Sequence, residues 1–151
     1  MFTRKSLATA LTSVAMAGAG VVALSAPAQA AVPGTEQFKN VATGFCLDSN
    51  AARSVYTHGC NTGAYQKWTV TAVSGGYTLK NQATGYCLDS NAAQSVYTHS
   101  CNGGSYQKWA ITSSGGSYRL KNVATGYYLD SNAAKSVYTR PSNSGSYQKW
   151  S

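Results

Sequence analysis

Acidic residues are scarce in this 151-residue chain: four Asp and Glu stand against twelve Lys and Arg. They are Glu36, Asp48, Asp89 and Asp130, scattered singly. Calcium sites need clustered oxygen ligands and glycosidases need a carboxylate pair, so neither chemistry is expected. Histidine is scarcer still. His58 and His99 lack the i,i+4 helical spacing of common metal pairs, and no further ligands gather near the four cysteines. No metal or cofactor is expected. A triad of Ser54, His58 and Asp48 can be drawn, but the matching place later in the chain holds Arg140. The chain is therefore expected not to be an enzyme. Beyond its N-terminus no stretch is apolar for long enough to span a membrane, and none has a long helical apolar period.

The N-terminus has a different character. Arg4 and Lys5 precede an apolar run from Leu7 to about Ala26, which ends in Ala28-Gln29-Ala30. A basic start, an apolar middle and an A-x-A end make a secretory signal. Residues 1–30 are expected to be removed, leaving 31–151 as one small exported domain. The formal net charge is +8, and Arg4 and Lys5 supply two of those charges. Most other basic residues recur at regular intervals: Lys39, Lys80 and Lys121, then Lys67, Lys108 and Lys149. Charges distributed in this way do not build one patch, which argues against a nucleic-acid partner.

The intervals reflect an internal repeat. Phe38–Trp68, Leu79–Trp109 and Leu120–Trp150 align without a gap at an offset of about 41 residues. The repeats run 38–78, 79–119 and 120–151. Each opens (Phe/Leu)-Lys-Asn, passes Leu-Asp-Ser-Asn-Ala-Ala and Ser-Val-Tyr-Thr, and closes Tyr-Gln-Lys-Trp. Short apolar or β-branched pieces alternate with Gly/Ser/Asn turns, the pattern of an all-β domain. In the second repeat, strands are expected near Tyr77–Asn81, Tyr86–Asp89, Ser95–Ser100 and Gln107–Thr112, with turns at Thr84-Gly85 and Gly103-Gly104. That makes about twelve strands in all. Three units are too few for a propeller. A closed threefold barrel, its core fed by Leu47, Leu88, Leu129, Trp68, Trp109 and Trp150, is the natural solution.

The cysteines fit this scheme. Cys46 and Cys60 have the same spacing as Cys87 and Cys101, and the third repeat replaces both members together, with Tyr128 and Ser142. Paired loss argues for bonds within each repeat, each worth roughly 3 kcal/mol in the chain-entropy picture.

The third repeat nevertheless keeps a polar set. The sets are Asp48, Tyr56, Asn61 and Tyr65; Asp89, Tyr97, Asn102 and Tyr106; Asp130, Tyr138, Asn143 and Tyr147. The residues leave two readings of the aspartate open. It can hold a local Asx turn, or it can accept hydrogen bonds from a ligand's hydroxyls. The tyrosines can pack across strands or lie against the apolar face of a sugar. The company of an Asn, both donor and acceptor, tips the set towards a sugar.

Gln66-Lys67-Trp68, Gln107-Lys108-Trp109 and Gln148-Lys149-Trp150 repeat a Q-x-W signature. With it, the chain resembles the ricin-type β-trefoil lectins. The LDSN, VYT, CN-Gly-Gly-like and YQKW stretches are most similar to those of the actinohivin-like, three-repeat, mannose-binding lectins. The resemblance covers about residues 38–150. It implies a β-trefoil of pseudo-threefold symmetry and three equivalent pockets in which the Asp, the Asn and both Tyr of each set hold mannose. It also implies that Trp68, Trp109 and Trp150 are core and that Gln66, Gln107 and Gln148 are structural. The chain departs from that pattern after VYT. An apolar Leu-Pro gives way to His58-Gly59, His99-Ser100 and Arg140-Pro141. His58, His99 and Arg140 are therefore candidate specificity walls, favouring a different or acidic glycan, most of all in the third repeat. The expected activity is multivalent glycan binding by a monomer. A protein-binding trefoil such as a protease inhibitor is the alternative from another class, but it would need no threefold set of identical polar residues.

Overall fold

In each repeat, Leu-Asp-Ser is buried throughout and Val-Tyr-Thr alternates buried and half-buried with the two-residue period of a strand, and the two pair as a short antiparallel hairpin. The computed structural model describes residues 33–151; the expected export signal at 1–30 lies outside the described residues. The hairpins are β2 (Cys46–Ser49) with β3 (Val55–His58), β6 (Cys87–Ser90) with β7 (Val96–His99), and β10 (Tyr128–Ser131) with β11 (Val137–Arg140). Their registers coincide: Leu47 faces Thr57 and Asp48 faces Tyr56, as Leu88 faces Thr98 and Asp89 faces Tyr97, and Leu129 faces Thr139 and Asp130 faces Tyr138.

Longer strands build the barrel beneath. β4 (Trp68–Val73) pairs with β5 (Gly76–Asn81), and β8 (Trp109–Ser114) pairs with β9 (Ser117–Asn122). Trp68 lies opposite Asn81 and Trp109 opposite Asn122; Trp150 bridges Asn40 in the same way. β1 (Gly34–Glu36) joins this ring by pairing Glu36 with Trp68, as Tyr77 pairs with Trp109 and Tyr118 with Trp150. A closed ring of strands capped by three hairpins is the expected trefoil.

The second-repeat strands fall close to their expected places, with one correction. Gln107 and Lys108 precede the strand: Ser105–Gln107 is a 3₁₀ turn, matched by Ala64–Gln66 and Ser146–Gln148. The Gln107 amide bonds back to the Gly104 carbonyl instead of entering a ladder. Among the described residues there are eleven strands, not twelve. Trp150 stands where the last would begin and makes isolated bridges.

The core repeats as expected. Trp68, Trp109 and Trp150 are fully buried with Leu47, Leu88 and Leu129; Phe38 takes the place held by Leu79 and Leu120. Each indole N–H donates to the carbonyl of its own repeat's leucine, at 3.1–3.2 Å. A buried indole needs such a partner. Cys46–Cys60 and Cys87–Cys101 are disulfide-bonded, with Cα atoms 5.0 and 5.1 Å apart.

Consecutive repeats are tied backbone to backbone. Arg53, Gln94 and Lys135 adopt left-handed conformations, with φ of 70°, 70° and 71°. Their carbonyls accept the amides of Thr98, Thr139 and Thr57, each in another repeat, at 3.0 Å. The left-handed region is unfavourable for residues with a Cβ, so the cap stores local strain in return for a closed triangle of bonds. Gln94→Gly removes that strain and is expected to stabilise the fold by about 0.5–1 kcal/mol. Gln94→Val, β-branched, is expected to destabilise it by about 1 kcal/mol or more. Urea unfolding of the two variants measures both.

Candidate functional site

Pairing across each hairpin sets the aspartate beside the first tyrosine on one face of the sheet. The aspartates are almost wholly buried: Asp48 is 5% exposed, Asp89 and Asp130 4%. A buried carboxylate must be hydrogen-bonded, and each is bonded on both oxygens. In the second repeat, the Ser90 amide donates to Asp89 Oδ1 at 2.8 Å and Gln107 Nε2 donates to Oδ2 at 2.9 Å. Gln66 serves Asp48 and Gln148 serves Asp130 at 2.9 and 3.0 Å.

The glutamines do more than this. Gln107 Nε2 also reaches the Ser100 carbonyl at 2.9 Å, and its Oε1 accepts the Asn102 amide at 2.9 Å. One buried amide thus ties the 3₁₀ turn to the hairpin and to the loop that carries the site asparagine. Gln66 and Gln148 make the same set. This is the structural role that the Q-x-W resemblance implies.

The local Asx-type turn belongs to the asparagine and not to the aspartate. Asn61, Asn102 and Asn143 each accept, on Oδ1, the amide two residues ahead, at 2.8 Å. That leaves the Nδ2 donors. The glycines at these turns leave room for the asparagine: a Cβ on Gly63, Gly104 or Gly145 would sit 3.0 Å from its oxygen, so the side chain would have to shift by a few tenths of an ångström. Tyr56, Tyr97 and Tyr138 donate their hydroxyls to the carbonyls of Ser49, Ser90 and Ser131 at 3.3, 3.3 and 3.1 Å. Burial, then the neighbouring aspartate, raises the ionisation of Tyr56 and Tyr97 above the ordinary phenol range, partly offset by bonds to Asn50 and Asn91. Tyr65, Tyr106 and Tyr147 stand on the 3₁₀ turns at 44%, 46% and 42% exposed, large aromatic surfaces turned to solvent.

Two cavities gather these groups. In the second repeat, Asp89, Tyr97, Asn102, Tyr106 and His99 line a volume of about 650 Å³. In the third, Asp130, Tyr138, Asn143, Tyr147 and Arg140 line about 320 Å³. Each has one carboxylate in its wall. His99 also accepts the Ser100 amide on Nδ1 at 2.8 Å. Arg140 lies over the Tyr138 ring, its guanidinium carbon 4.9 Å from the centroid. His58 occupies the equivalent place on β3, and is exposed. Among the described residues, no three His, Cys, Asp or Glu cluster as metal ligands do.

The model of the ricin-type β-trefoil lectin domain matches residues 34–150. The chain belongs to that family. The ricin-type lectin fold brings carbohydrate binding as its activity. Solved structures agree on the fold. A designed threefold-symmetric protein, ThreeFoil, matches with a TM-score of 0.71 and 24% identity, covering 78% of this chain and 96% of that one. A ricin B-like lectin of Macrolepiota procera, in complex with lactose, matches at 0.67 and 20%, covering 77% and 91%. A GlcNAcα1-4Gal-releasing endo-β-galactosidase of Clostridium perfringens matches at 0.71 and 17%, covering 78% of this chain but only 32% of that one. No curated protein gives a significant match by sequence.

Two groups of lectin residues were not anticipated. Asn91, Ala92 and Ala93 line the second cavity and Asn132 the third; recurrence of Ser-Asn-Ala-Ala was their signal. Asn81, Asn122 and Asn40 are fully buried, and their Nδ2 atoms donate at 2.8 Å to the carbonyls of Tyr65, Tyr106 and Tyr147. Each repeat therefore positions a tyrosine of another.

Gln107→Leu is expected to lose about 2–3 kcal/mol in urea unfolding, because a buried carboxylate loses its amide partner, and to raise amide exchange at Asn102. In the raised-pKa tyrosines the sign follows from burial of the neutral phenol. Any stability that Tyr56 and Tyr97 draw from staying protonated is present below the free-tyrosine range near 10 and lost as pH rises through their raised values. Their ring resonances are expected to titrate above that of free tyrosine in a ¹³C-tyrosine NMR titration.

Proposed function

We propose that this chain is an exported, monomeric, non-enzymatic lectin that binds mannose-type glycans through three pockets, one per repeat. One observation carries the reading: the same wall, of one buried and oriented carboxylate, one asparagine and two tyrosines, recurs in both described cavities. A preoriented carboxylate accepts bonds from adjacent hydroxyls. The asparagine, held by its oxygen, offers its N–H donors, and the exposed tyrosine offers a flat apolar face. A single carboxylate in each wall lacks the partner needed to cut a glycosidic bond. Such open pockets bind weakly one at a time; engaging several on one branched glycan raises overall strength about 10²–10⁴-fold.

The second cavity, the wider of the two, is the best suited to a neutral oligosaccharide. Arg140 favours a second reading for the third pocket, a sugar bearing a carboxylate or sulfate, since the guanidinium in its lining adds a cation able to bind such a group bidentately.

A glycan array read with and without EDTA tests the proposal. Mannose-type glycans are expected to be bound equally in both buffers. Asp48→Asn, Asp89→Asn and Asp130→Asn together are expected to abolish binding in a folded chain. Tyr65→Ala, Tyr106→Ala and Tyr147→Ala are expected to cost about tenfold per site, the equivalent of one aromatic contact. Unchanged binding by the triple Asp variant would sink the pocket assignment.

A further inference from the structure

Where the first two repeats carry disulfides, the third carries an arginine. Tyr128 stands in the place of Cys46 and Cys87, and Ser142 in that of Cys60 and Cys101. Arg119, half-buried on β9, lies across both. Its guanidinium carbon is 4.0 Å from the Tyr128 ring centroid. Its Nη2 donates to Ser142 Oγ at 2.9 Å, to the Asn143 carbonyl at 3.0 Å and to Gln148 Oε1 at 2.8 Å. The last contact reaches the pocket, because Gln148 holds Asp130.

The equivalent positions differ in a graded way. In the first repeat Gln37 Nε2 donates to the Asn61 carbonyl at 2.8 Å and to Gln66 Oε1 at 3.0 Å, the same two acceptors but with no aromatic ring beneath. In the second repeat the position is Thr78, too short to reach them. The loop carrying the site asparagine is thus held by a disulfide plus an amide in the first repeat, by a disulfide without that brace in the second, and by the arginine in the third.

We propose that Arg119 is a positioning residue that does the work of the missing disulfide, keeping the third pocket assembled when the other two are loosened by reduction. A planar guanidinium is well suited to such a brace, because stacking on an aromatic face holds its Nη2 group directed at the loop acceptors. Lys would offer a single mobile ammonium. The consequence is an internal order of redox sensitivity, with the second pocket most affected, the first less and the third least.

The inference deepens the glycan-binding reading of these pockets, but its decisive test needs no glycan. Amide exchange is measured at Asn61, Asn102 and Asn143, whose N–H groups bond to the three glutamines, in the full domain before and after reduction by a phosphine. Exchange is expected to quicken about tenfold or more at Asn102, by less at Asn61, and by under about twofold at Asn143. In Arg119→Thr, Asn143 is expected to join Asn102 in the reduced chain, and Arg119→Lys to recover only part of the protection. Transplantation is the second arm, with the Cys46–Cys60 bond left intact. Cys87→Tyr with Cys101→Ser should expose Asn102 to exchange, and adding Thr78→Arg should restore its protection. Equal loss at all three amides on reduction, or no rescue by Thr78→Arg, would overturn the proposal. Titration with a mannose oligosaccharide is expected to lose affinity on reduction at the second pocket first and at the first pocket less. Failure of the oxidised chain to bind any glycan would overturn the lectin reading alone, leaving exchange to decide the role of Arg119.

Discussion

Gln66, Gln107 and Gln148 each use one buried side-chain amide to hold three things: the site aspartate, a carbonyl of the loop after the hairpin, and the backbone of the site asparagine. Much of the site depends on this. A carboxylate only 4–5% exposed is tolerated because a neutral donor and a backbone amide satisfy it without importing a second charge. A lysine there would form an ion pair and quench the carboxylate as an acceptor; the amide orients it and adds no opposing charge. The 3₁₀ turn exists for the same reason, since it swings the glutamine inward while turning the adjacent tyrosine out to solvent.

The repeats are interlocked more than they are stacked. A left-handed residue of each cap loop gives its carbonyl to another hairpin, and a buried asparagine near the start of each repeat holds the tyrosine carbonyl of another repeat. No pocket is the property of one repeat alone. This is how a unit of about 41 residues, too small to bury a core by itself, becomes a stable element of a domain.

What could be read from the chain was whatever recurs at one offset. The Leu and Trp core, the disulfide partners, the four-residue polar sets and the strand order all depend on spacing within a repeat, and spacing is visible in one dimension. The resemblance gave Gln107 a structural role without its partners, and the role of Asn81 was not seen at all. Their partners lie 18 and 16 residues away across a barrel, and a polar residue does not announce which carbonyl it will meet. The expected strand at Gln107-Lys108 failed for a related reason: the tertiary demand for an inward amide overrode the local β pattern. Arg119 was invisible because it breaks the repeat, and reading by symmetry passes over a residue present once.

Symmetry in this molecule belongs to the scaffold, and the differences nearest the pockets leave the recurring Leu, Trp and Gln in place. Positions 37, 78 and 119 are Gln, Thr and Arg; positions 58, 99 and 140 are His, His and Arg. All six lie outside the invariant Leu, Trp and Gln. The third repeat has both arginines, and they act in opposite senses. Arg119 lies behind the pocket wall and bonds to the glutamine that holds Asp130; Arg140 lies in the cavity over the Tyr138 ring, at a position where the other repeats have histidine. One braces the wall from behind while the other stands inside the cavity. A loop released from its disulfide is free to accept a new wall residue only if something else holds its base. Arg119 supplies that hold, so loss of the cysteines and the divergence of the third pocket are physically compatible in one chain.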